Sequence, residues 1–232
     1  MEIDRTNEYA LSNISVIHLK KQDYEQCLEW TNKALQRIEG FHPDTKEFQQ
    51  DNTLEVKLLQ RRAKCYEVKD EFELAKQDLD RAMMLDRENA AVKLAQQKVQ
   101  QKLSTIRFEE YREQANNYLK QKQFAEALEF YEKCLKITRK ATSLDNIAIY
   151  VNKTACLLSL ERYNRVITEC NDAVRLIKNY KNRNDGKHSA EDQKRISQMD
   201  LRIAVRKANA LQKLNKVSEA IAEYEKAQKM DP

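Results

Sequence analysis

Between Phe108 and Lys140 the apolar positions fall at helical spacing twice over. Tyr111, Ala115, Tyr118 and Leu119 recur at i, i+4, i+7 and i+8, and after a polar turn Phe124, Ala127, Leu128, Tyr131 and Leu135 start a second stripe. The pattern predicts two antiparallel amphipathic helices. Ala115, Ala127 and Cys134 supply small side chains where the helices must approach to about 8–10 Å. One such pair cannot bury its own apolar faces, so stacking against further pairs is expected.

The small-residue spacing repeats along the chain. Ser15, Cys27 and Ala34 keep it, as do Ala63, Ala75 and Ala82, then Thr154, Val166 and Ala173, and finally Ala208, Ala220 and Ala227. A large residue follows each first small position by three (His18, Tyr66, Tyr118, Leu157, Leu211), and Tyr24, Phe72, Phe124, Tyr163 or Val217 fills the turn. On these residues the chain resembles the tetratricopeptide-repeat family, whose unit of about 34 residues has small residues at its eighth, twentieth and twenty-seventh places. The resemblance implies an all-α solenoid of five helix-turn-helix units. Asp231-Pro232 closes the last unit as that family often does; Val166 is bulkier than the usual Ala, and several family prolines are missing.

Three regions are expected. Residues 1–86 hold a two-unit array that reads like the middle of a longer one, with a preceding unit upstream; its polar segment Glu39 to Asn52 reads as an inserted loop or helix extension. Residues 87–107 form a rigid connecting or capping helix with a stripe of Ala91, Leu94, Ala95, Val99 and Leu103. Residues 108–232 form a three-unit array interrupted at Lys178 to Lys194, where a mobile loop is expected first and a helix start at Ser189 or Ser197. That gives ten helices from the units plus the connecting helix, and no strand.

Composition agrees with an all-helical chain and narrows function. Two Gly and two Pro in 232 residues leave little to punctuate strands, and 34% of residues are charged. No apolar run is long enough to span a membrane and the first residues lack a signal-like hydrophobic region, so a cytoplasmic protein is expected, with no membrane contact. Cys27, Cys65, Cys134, Cys156 and Cys170 show no CxxC pairing and read as reduced packing residues. A net charge of +5 is too mild for nucleic acid, and the positive run at Lys178, Lys181, Arg183 and Lys187 reads as a solvated loop. His18, His42 and His188 are scattered, no phosphate loop or hydrolase pattern occurs, and the carboxylates read as polar-face solubility, so neither catalysis, cofactor nor metal is expected.

Stacked units line one face with their first helices. One subgroup of the family uses that face as a carboxylate clamp for the C-terminal Glu-Glu-Val-Asp tails of cytosolic heat-shock chaperones. Its pattern falls here on Arg112 and Asn116, on Asn152, and on Arg202 and Arg206, with Arg standing at 112 and 202 where the subgroup usually has Lys. These residue types suit such a ligand, because a terminal Asp presents two carboxylates, Arg offers a planar fork, Asn adds an amide without charge, and residues four apart share a helix face. With 42 of 232 residues basic, three basic matches at set places arise by chance about one time in a hundred. Arg202 and Arg206 are expected to be exposed and to matter little for folding.

The first array repeats part of the set. Asn13 matches the clamp Asn, while Lys57 and Arg61 match the basic pair. Residues 12–35 followed by KLLQRRAKCYE are also similar to the repeat modules of co-chaperones that assemble axonemal dyneins. The resemblance implies an adaptor that holds heat-shock chaperone tails and presents client proteins, located in the cytoplasm or at the cilium. The alternative is a ciliary or cytoskeletal scaffold whose grooves hold partner helices.

Overall fold

A computed structural model of the chain describes residues 6–40, 52–138, 143–183 and 188–230. His42, Pro43, Gly186, Lys187, Asp231 and Pro232 lie outside the described residues, as does most of the interrupting segment between Glu39 and Asn52. The helices are α1 (Thr6–Lys20), α2 (Tyr24–Gly40), α3 (Thr53–Val68), α4 (Phe72–Leu85), α5 (Ala90–Lys120), α6 (Phe124–Ile137), α7 (Leu144–Ser159), α8 (Tyr163–Arg183), α9 (Ala190–Lys213) and α10 (Val217–Met230). Among the described residues there is no strand.

Each unit's first helix ends by one device. Gln22, Asp70, Lys122, Glu161 and Asn215 stand seven residues after the first small position and take positive φ, between 56° and 60°. The next amide then reaches back five residues, as from Gln123 to Tyr118 O at 2.9 Å and from Glu71 to Tyr66 O at 2.9 Å, which closes the helix with a Schellman-type bond. The chain turns sharply and the second helix starts at once. Every small position is buried, Val166 included at 0% exposure, so a valine fits where alanine is usual.

The chain divides into two compact bodies, Met1–Thr105 and Ile106–Pro232. In the first, Leu58, Leu59, Leu79, Val92 and Val99 build the core around Ala34, Ala63, Ala75 and Ala82. In the second, Tyr131, Ile147, Ile149, Leu157 and Ile203 do so around Ala115, Ala127 and Ala173. Helix α5 runs through the division: the expected connecting helix and the first helix of the third unit are one element, because no Gly or Pro interrupts residues 90–120.

Three expectations are corrected. On α5 the buried stripe is Val92, Val99 and Leu103, with Ala91 and Leu94 exposed, because Gln96 turns toward α4 and donates to Asp80 at 2.6 Å. Lys178 to Arg183 is helix and not loop: Ile177 is buried, Tyr180 packs on the core and stacks on His188 with ring centroids 5.0 Å apart. Ser189 then caps α9 by accepting from the Asp192 amide at 3.0 Å. Several charged side chains also belong to the interior. Arg62 pairs with Asp78 at 2.6 Å, Lys153 with Glu169 at 2.7 Å and Lys207 with Glu223 at 2.7 Å, each joining the two helices of one unit.

Candidate functional site

In the second body the first helices α5, α7 and α9 carry all five clamp-matching residues. Tyr131, fully buried on α6, extends its hydroxyl towards two of them: it donates to Asn116 Oδ1 at 2.7 Å, and the Asn152 side chain lies near the same hydroxyl. Burial pushes the Tyr131 phenol up to about 12, the nearby Asn152 amide and Arg206 charge opposing it. The phenol therefore stays neutral at ordinary pH and holds the Asn116 amide in one orientation.

Arg206 is not the free groove-wall residue expected from the sequence. It is half-buried, and its guanidinium donates to the Val151 carbonyl and to Thr154 Oγ1, the latter at 3.2 Å. Burial lowers its pKa and the like charge of Arg202 lowers it further, yet a guanidinium remains protonated throughout the physiological range. Thr154 is itself buried and donates to Val151 O at 2.6 Å, so carbonyl, hydroxyl and guanidinium form a closed set. Arg202, one turn away on the same face of α9, is exposed and has no ion pair among the described residues.

Arg112 sits differently. It pairs with Glu109 on its own helix and with Asp145 at 3.5 Å, and Asp145 also meets Arg195 at 3.3 Å. Arg112 thus faces two carboxylates already. In chemical terms the body offers one amide fixed by a buried phenol, a second amide near it, one braced guanidinium and one free one. That set can take a carboxylate with several convergent donors.

The first body repeats the brace. Arg61 is half-buried and donates to Ser12 O at 3.0 Å, Ser12 Oγ at 3.2 Å and Ser15 Oγ at 2.5 Å. Burial is the main cause that lowers its pKa. Asn13 and Lys57 are both exposed. Cys27 and Cys65 of this body are buried free thiols. Sequence reasoning missed Tyr131, Ser12, Asp145 and Arg195. It counted Ser15 and Thr154 only as small residues, although a hydroxyl replaces alanine in the two units followed by a unit with Arg two residues before its own small position.

Tetratricopeptide-repeat family models match residues 108–141 and 201–232. Stress-induced-phosphoprotein 1 of Caenorhabditis elegans is 23% identical over 184 residues, covering 76% of this chain and 54% of that protein. Hsp70-Hsp90 organizing protein 3 of Arabidopsis thaliana is 26% identical over 168 residues, 69% of this chain and 29% of that protein. The Hsp70/Hsp90 co-chaperone CNS1 of Saccharomyces cerevisiae is 36% identical over 66 residues, 28% of this chain and 17% of that protein. The chain therefore spans about half the length of the first of these relatives and less of the others. The solved TPR2AB-domain:pHSP90 complex of yeast Sti1 shares the fold with a TM-score of 0.52 at 17% identity, over 97% of this chain and 78% of that one. Five helix pairs on one template, two of them matched by family models, give the chain the tetratricopeptide-repeat fold, and similar proteins are found among co-chaperones.

Proposed function

We propose that the chain is a co-chaperone adaptor that takes the acidic C-terminal tail of a heat-shock chaperone on the face formed by α5, α7 and α9. The observation that carries this reading is the Asn116 amide held by the Tyr131 hydroxyl, next to the Arg206 guanidinium braced on Thr154. Donors fixed before binding lose little freedom when the ligand arrives, which favours affinity. The relatives named for Hsp70 and Hsp90 identify the class of tail to try first. Arg112, Asn116, Asn152, Arg202 and Arg206 are the residues proposed to hold it. Asn13, Lys57 and Arg61 are proposed as part of a second site in the first body, and the wider adaptor would join chaperones to client proteins.

A fluorescent peptide ending Glu-Glu-Val-Asp tests the reading. Titrated against the wild type it should bind, and Asn152→Ala should weaken it by about tenfold, the loss of one hydrogen bond to a charged ligand. Unchanged affinity in Asn152→Ala with unchanged melting would remove Asn152 from the site.

A further inference from the structure

The helices that flank the insertion are longer than the template. Ala190 opens α9 eighteen residues before Ala208, whereas Thr53 and Leu144 open α3 and α7 ten residues before Ala63 and Thr154. The added turns are packed: Ile196 and Met199 are buried at 2% and 7% exposure, and Lys181 of α8 pairs with Asp200 at 3.3 Å. Arg195 lies on this extension. It stands seven residues before Arg202 and eleven before Arg206, which puts all three on one face of α9. Its guanidinium meets Asp145 of α7 at 3.3 Å, and Asp145 meets Arg112 of α5 at 3.5 Å, so the first helices of three units come together there.

We propose that Arg195 and Arg112 form a second anion subsite that reads an acidic side chain upstream of the ligand's C-terminus, and that Asp145 occupies it while no ligand is bound. The inference rests on the tail-binding reading above. A carboxylate between two guanidiniums is the arrangement an acidic side chain of the ligand would adopt, and Asp145, its side chain 48% exposed, is free to yield. Seven helical residues separate Arg195 from Arg202 by about 10 Å, which an extended peptide crosses in about three residues. The acidic side chain therefore sits three residues before the terminal one. The specificity comes from the insertion: without the extra turns of α9 there is no residue at this place.

The experiment uses two peptides with free C-termini, one ending Glu-Glu-Val-Asp and one ending Gln-Glu-Val-Asp, titrated against the wild type, Arg195→Ala, Arg195→Lys and Asp145→Asn. The wild type should prefer the first peptide by about two- to fivefold, the range of a solvent-exposed ion pair. Arg195→Ala should abolish that preference while leaving affinity for the Gln peptide unchanged, Arg195→Lys should restore part of it, and Asp145→Asn should strengthen binding of the Glu peptide. An unchanged preference in Arg195→Ala, or an equal loss for both peptides, overturns the subsite. An amidated Glu-Glu-Val-Asp peptide separates the two levels: equal binding of the amide overturns the clamp, whereas the Glu-to-Gln ratio continues to report on Arg195. Failure of the wild type to bind any of the peptides overturns both.

Discussion

Arg206 donates to the Thr154 hydroxyl at 3.2 Å, a bond from the first helix of one unit to the small position of the unit before it. Arg61 makes the same bond to Ser15 at 2.5 Å. In both bodies the arginine also reaches the carbonyl three residues before that hydroxyl, on Val151 or Ser12. One side chain thus joins two units and presents a charge.

Arg206→Ala should therefore cost stability as well as binding. Removing a half-buried guanidinium leaves Thr154 and Val151 short of a donor, so urea unfolding should show a loss of about 1–3 kcal/mol, while tail affinity falls about tenfold to a hundredfold. Arg202→Ala should lower affinity with stability within about 0.5 kcal/mol. Thr154→Ser should resemble the wild type, and Thr154→Ala should bind tail peptide more weakly. Equal stability of the wild type and Arg206→Ala would show that the brace carries no energy.

Breaking the interior ion pair of the fourth unit should hurt far more than breaking a surface pair. Lys153 and Glu169 have side chains only 7% and 14% exposed, so Glu169→Ala strands a buried ammonium and should cost about 3–5 kcal/mol. The Arg175–Asp172 pair, with 71% and 39% exposure, should be worth less than about 1 kcal/mol. Denaturant midpoints of Glu169→Ala and Asp172→Ala make the comparison.

Alkali should unfold the protein progressively. Burial pushes the Cys134 and Cys156 thiols up to about 11 and the Cys170 thiol up to about 12, from an ordinary 9.0, and Tyr131 up to about 12 from 10.0. The folded state thus keeps protons that the unfolded chain has lost. This contribution is complete below about pH 9 and declines as pH rises towards about 11 to 12. Melting temperature should fall across that interval, and Cys170→Ala should fall less steeply. A flat profile would contradict the burial of these groups.

The turn after each first helix offers a gain. Lys122 holds φ at 60°, where a side chain is disfavoured by roughly 1 kcal/mol relative to glycine. Lys122→Gly should raise stability by up to about that amount in urea unfolding, without moving tail affinity.

The small-position spacing made the five units legible because a helix pair tolerates only small side chains at its close approaches, and Cys27, Ala75, Ala127 and Ala220 all sit there buried. Helix extents were less legible. Tyr180 reads as part of a polar insertion, because the core it packs on is visible only once α8 and α9 pair. Buried charge was hidden for a similar reason: a polar residue in an amphipathic pattern reads as solvent-facing, although Arg62, Lys153 and Lys207 each stand just before a small position with an acid sixteen residues on. That spacing could have revealed the pairs. Arg206 was found by its match to the clamp pattern, but its brace depends on a hydroxyl in another unit.

Recognition of a tail by Asn116, Asn152, Arg202 and Arg206 requires a free α-carboxylate, because the terminal residue then presents two anionic groups to the convergent donors. The direct measurement is a paired titration of the wild type with a fluorescent Glu-Glu-Val-Asp peptide as free acid and as C-terminal amide. The free acid should bind and the amide should lose at least about tenfold, the cost of one hydrogen-bonded charge. Equal affinities for acid and amide would contradict the clamp and assign the face to a partner bound along its length, such as a helix.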